Sequence, residues 1–112
     1  MHTSMIKIVT YQESNGHKPY ADWLDGLTDN KAKARIMVRV SRMAAGNFGD
    51  CKPLRDGVQE LRIDHGPGYR VYLSRQGPVF VLLLCGGDKG DQTRDINRAI
   101  EYLNDWKLRG KP

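Results

Sequence analysis

The run "VFVLLLC", Val79 to Cys85, constrains this chain more than any other stretch. Its apolar residues follow one another without alternation, so neither face of such a strand can meet water. The run therefore reads as a central strand covered on both sides. It stops abruptly in "GGDKGD", Gly86 to Asp91, and a helical pattern starts at once. Ile96, Ala99, Ile100 and Leu103 recur at 3.6-type spacing, with Trp106 near the end. The glycines are expected to let the backbone leave the sheet sharply. Lys89 would then stand at the rim of the sheet, with Asp88 and Asp91 as turn and helix-start residues.

The remaining elements follow from Gly and Pro punctuation. "MIKIVTYQ", Met5 to Gln12, is rich in β-branched residues and reads as a strand. "KPYADWLDGL" places a proline in the first turn of a short helix that closes near Gly26. Its apolar set is Tyr20, Trp23, Leu24 and Leu27. "TDNKAKARIMVRVSRMAAGN" is the clearest helix, capped by Thr28 or Asp29 and ended by Gly46-Asn47. Ala32, Ile36, Val40, Met43 and Ala44 form its core stripe. "VQELRIDH" and "YRVYLSR", joined through "GPG", read as paired strands. Alternation puts Leu61 and Ile63 on one face and Glu60, Arg62 and Asp64 on the other. As an exposed strand residue Glu60 could act as a base or pair with Arg62, and the ion pair is expected. If the hairpin aligns its apolar faces, Arg62, Arg70 and Tyr72 lie together opposite them.

The order is strand, two helices, three strands in an antiparallel meander, and a final helix. That defines an α+β domain, with two N-terminal helices and a C-terminal helix packed on an antiparallel sheet. The helices are expected on one face. Part of the other face would hold Arg62, Arg70 and Tyr72, with Lys89 close by.

A chain of 112 residues points to one domain, residues 1–112. Its net charge of +5 suits an anionic partner. The long helix concentrates this charge in Lys31, Lys33, Arg35, Arg39 and Arg42, with no acid interleaved. Repulsion among them would be relieved by a polyanion or an acidic partner; a merely solvated face is the plainer alternative. Cys51 and Cys85 are far apart and read as free thiols in a reducing cytoplasm. No run suits a membrane span or the apolar core of a signal peptide. "GGDKG" lacks the spacing of a phosphate-binding P-loop, and no βαβ unit precedes it as a dinucleotide fingerprint requires. His2, His17 and His65 show no metal spacing, and His65 reads as an exposed turn residue. No cofactor is expected.

Taken together, "ELR", "GYRVY", an apolar strand, "GGDK" and "Q..DI..A" in Glu60–Leu103 resemble the signature of RelE/ParE-superfamily toxins. The likeness is strongest to the HigB-like branch of addiction-module killer proteins. The basic helical hairpin Lys18–Gly46 also has the expected place. The resemblance implies a small RelE-like fold and a toxin paired with a helix-turn-helix antitoxin of the HigA kind. Many such toxins enter the ribosome and cut messenger RNA without metal, whereas ParE-like members poison DNA gyrase. It further implies that Arg70 meets the scissile phosphate, with Arg62 and Lys89 as supporting cations. The pattern departs from the family in three places. Glu60 stands on a strand where RelE-like enzymes carry further basic residues. Asp95 lies near the place of a tyrosine that some members have. A HigB-type histidine is absent.

The chemistry agrees with a nuclease. Cleavage by the RNA's own 2′-hydroxyl needs a base, cations for the phosphorane and an acid for the leaving oxygen. Arginine offers a fork matched to phosphate, which suits Arg70. Lys89 suits an acid or a clamp. Arg35, Arg39 and Tyr72 are the expected RNA-binding residues, and ribosome and message the expected partners. A gyrase inhibitor of the ParE kind, or a non-catalytic binding module of decayed phage type, remain the alternatives.

Overall fold

The computed structural model describes residues 5–110, so His2 lies outside the described part. The elements run β1 (Lys7–Thr10), α1 (Pro19–Asp25), α2 (Asn30–Ala44), β2 (Cys51–Pro53), β3 (Gln59–Ile63), β4 (Tyr69–Arg75), β5 (Phe80–Asp88) and α3 (Gln92–Leu108). A single 3₁₀ turn, Lys89–Asp91, joins β5 to α3.

The five strands form one sheet in the order β1-β5-β4-β3-β2. The apolar run is indeed central: β5 lies between β1 and β4, and Val81 to Cys85 are buried. The sheet is mixed, which corrects the all-antiparallel expectation. β1 pairs parallel with β5, from Lys7 opposite Phe80 to Thr10 opposite Leu83. The remaining pairs are antiparallel. β2 is an edge strand absent from the sequence reading. It has three residues and ends in Pro53, a residue that only an edge tolerates.

Helices cover both faces of the sheet, a second correction. On one side α1 and α2 bury Tyr20, Ile36 and Met43 against Leu61, Ile63, Val71, Leu73, Val81 and Leu83. On the other, α3 buries Ala99, Leu103 and Trp106 against Val58, Tyr72, Leu82 and Leu84. The sheet is apolar on both sides, so two layers of helix are required. A register shift strengthens the α3 side. Tyr72 faces Cys85 but Leu73 faces Leu83, so Leu84 is an extra residue. Leu84 and Cys85 consequently both join the α3 core.

Local signals place the helices. Lys18 is extended before Pro19, as the proline ring requires of its predecessor. Asp29 caps α2, its Oδ1 accepting from the amides of Lys31 at 3.0 Å and Ala32 at 3.1 Å. Gly46, at φ +93°, ends it, and the Asn47 amide turns back to the Arg42 carbonyl at 2.9 Å.

Candidate functional site

The expectation that Gly86 and Gly87 release the chain from the sheet is not met. β5 runs through both to Asp88. They are needed for close approach instead. A Cβ on Gly86 would overlap the Trp23 ring, and one on Gly87 would overlap the Asp95 carboxylate. Trp23 and the first turn of α3 thus press on opposite faces of the same strand. The chain leaves the sheet at Asp88, whose Oδ1 accepts from the Gly90 amide at 2.9 Å and caps the 3₁₀ turn. Lys89 follows, exposed at the rim.

Arg62, Arg70 and Lys89 come together there. They line one concavity of about 290 Å³ with Asp50, Ile63, Asp64, Gly68 and Tyr69. Arg62 and Arg70 are directly opposed across β3 and β4. Like charges so placed destabilise a sheet unless each is neutralised. Each has its own carboxylate, and these are not the expected pair. Asp50 takes Arg62, with Nε at 3.1 and 3.2 Å from its two oxygens and Nη2 at 3.0 Å from Oδ1. Glu60 takes Arg70, whose Nε lies 3.3 Å from Glu60 Oε2. The expected Glu60–Arg62 pair does not form, because register brings Arg70 diagonally across to Glu60.

These two pairs differ in depth. Arg62 and Asp50 are substantially exposed, and such a pair is worth about 1 kcal/mol or less. The Glu60 side chain is 0% exposed and that of Arg70 12%. Gln92, at the start of α3, donates from Nε2 to Glu60 Oε2 at 2.9 Å. Arg70 Nη1 donates to the Gly68 carbonyl at 3.0 Å. Gly68 stands at φ +84°, a conformation that suits glycine.

Two expected RNA-binding residues are placed elsewhere. Tyr72 is fully buried under α3, with no hydrogen-bond partner for its hydroxyl among the described residues. Burial, then the charge of Glu60, pushes its ionisation well above the tyrosine range. It is a core residue. Arg39 reaches back to backbone carbonyls: Nη1 donates to Arg62 at 2.5 Å, and Nη2 to Phe48 at 3.2 Å and Asp50 at 3.3 Å. It braces the loop that carries Asp50 and is no free cation. Arg35 is exposed on α2. It lines a second concavity with Arg42, Val38 and Arg39, and Ile63 and Asp64 border this hollow as well as the first.

His65 is less exposed than a turn residue was expected to be. Its Nε2 lies 3.1 Å from Asp29 Oδ2, tying the β3–β4 turn to the α2 cap. The amide of Ala32 and then His65 hold the Asp29 carboxyl below its usual range. Asp95 is nearly buried beside Gly87, and desolvation raises its carboxyl above the usual range. Among the described residues no three His, Cys, Asp or Glu side chains are grouped to hold a metal ion. No helix there is long and apolar enough to cross a membrane.

Asp50 and Gln92 were missed by sequence reasoning. Asp50 depends on β2, which gave no signal. Gln92 had one, as the first letter of "Q..DI..A", but without register nothing joined it to Glu60.

The fold and site define a small α+β domain with a basic concavity between the ends of three strands. No family model matches the chain. Over 80 residues it is 54% identical to a protein of Haemophilus influenzae described as an uncharacterized protein, a match covering 71% of this chain and 81% of that protein. The chain belongs to one family with it.

Proposed function

We propose that this chain is a toxin of the RelE/ParE superfamily, in the HigB-like branch, and cuts messenger RNA on the ribosome. One observation carries the reading. Arg62, Arg70 and Lys89, drawn from β3, β4 and the turn after β5, line the same concavity. Three cations converging on a hollow suit a phosphate that gains charge in the transition state. Arg70 is the rigid member and meets the scissile phosphate. Arg62 exchanges the exposed Asp50 carboxylate for phosphate, since their pair costs little to break. Lys89, exposed on the rim, neutralises or protonates the leaving oxygen. Asp50 and Asp64 are the carboxylates lining the hollow and the candidates for the base that takes the 2′ proton. Glu60 is too deep for that role.

The toxin acts in the cytoplasm, and a helix-turn-helix antitoxin restrains it. The surface that suits the antitoxin is α2, where Val38, 47% exposed, lines a hollow with Arg35 and Arg42. An acidic, partly apolar segment matches that face.

Expression alone is predicted to arrest growth, and Arg70→Ala to relieve the arrest at matched protein level. Losing one cation at a developing oxyanion costs on the order of 100-fold in rate. Equal arrest by both proteins would remove Arg70 from the mechanism. Arrest with intact messages and cleaved DNA would point to gyrase instead.

A further inference from the structure

We propose that Glu60 is a positioning residue: held by Gln92, its buried carboxylate fixes the plane of the Arg70 guanidinium so that the Nη2 edge faces the concavity. This rests on the nuclease reading for its consequence, though not for its geometry. A carboxylate with no exposure is a costly thing to place in a sheet. Replacing the whole Glu60–Arg70 pair by packed apolar residues would commonly be neutral or stabilising. Its register partner across the strands is Tyr72, itself buried, so the charge of Glu60 answers to Arg70 and to nothing else in the sheet.

What the charge does is visible in its bonds. Glu60 Oε2 receives Gln92 Nε2 at 2.9 Å and lies 3.3 Å from Arg70 Nε. Arg70 Nη1 is tied on the other side to the Gly68 carbonyl at 3.0 Å. The Nε contact is an ion pair without a hydrogen bond, so the planar guanidinium is held by one hydrogen bond at Nη1 and by the charge of Glu60 at Nε. Nη2 is left without a partner among the described residues, beside a concavity that the Arg70 side chain lines. Glu60 therefore acts on substrate only through Arg70. Gln92 brings α3 into the same device, because its bond to Glu60 joins the start of that helix to the arginine.

The test pairs a spectroscopic signature with kinetics. Nitrogen-15 spectra of arginine side chains resolve the Nε–Hε group, and loss of one signal in Arg70→Lys assigns it. Glu60→Gln keeps the shape and removes the charge. The expected result is faster solvent exchange of the Arg70 Hε by at least about 10-fold, with the fold retained. On programmed ribosomes kcat should fall on the order of 10- to 100-fold with KM little changed. In an Arg70→Lys background the same substitution should add little, since lysine has no plane to orient. Unchanged Hε exchange overturns the proposal, as does a kcat loss that persists in full in that background. If the wild-type protein cuts no message, the nuclease reading fails and Hε exchange alone decides the positioning. If Glu60→Gln does not fold, Gln92→Leu replaces it: looser Arg70 Hε supports the device, and unchanged exchange overturns it.

Discussion

At Gly87 a single hydrogen separates β5 from the Asp95 carboxylate, and at Gly86 another admits the Trp23 ring. These glycines set how closely α1 and α3 approach the strand, and so where Lys89 emerges. Gly87→Ala is predicted to destabilise the protein by about 1–3 kcal/mol, as overpacking does. Thermal unfolding checks this, and an Asp95→Ala background should remove most of the loss. An undiminished loss there would contradict the close-approach account. Asp95 also carries a pH signature. Its carboxyl is raised in the folded state by desolvation, so the folded protein holds that proton longer than the unfolded one. Its contribution to stability is present at low pH and lost as pH rises from the ordinary carboxylate value through the raised one. Asp95→Asn should abolish that component of the stability–pH curve.

Two roles are separable on α2. Its cap, Asp29, has the opposite sign to Asp95: bonds from Ala32 and His65 depress its folded value. The stability it contributes is present above the ordinary carboxylate value and is lost as pH falls through the depressed one. Asp29→Asn, which still caps, should flatten the acid limb of melting temperature against pH; an unchanged limb would contradict the assignment. Farther along, Arg39 and Arg35 look alike in sequence but differ in structure. Arg39→Ala leaves three backbone carbonyls without its guanidinium and should cost about 1–3 kcal/mol. Arg35→Glu should leave melting unchanged and weaken binding of an acidic antitoxin, measured by calorimetry. The reverse assignment would show the opposite pattern.

Across the whole molecule, legibility followed locality. The buried strand, the α2 stripe of Ala32, Ile36 and Met43, the Pro19 start and the Asp29 cap are properties of neighbouring residues, and they were readable. The parallel pairing of β1 with β5 joins residues more than seventy apart, and periodicity carries no sign of it. Burial of Tyr72 could not be seen either, because it needs α3 on the second face of the sheet. The same holds for the site. Alternation put Glu60, Arg62, Arg70 and Tyr72 on one face, correctly. Which carboxylate meets which arginine depended on hairpin register and on β2, a strand too short to announce itself.

The central claim is that the three cations gathered in this hollow break RNA presented by a ribosome. Purified protein on ribosomes stalled at a defined codon, read by primer extension, tests it most directly. The account predicts a cut within the ribosome-covered message, absent without ribosomes and reduced on the order of 100-fold by Arg70→Ala. An uncut message with folded wild-type protein, or equal cutting by Arg70→Ala, would contradict it.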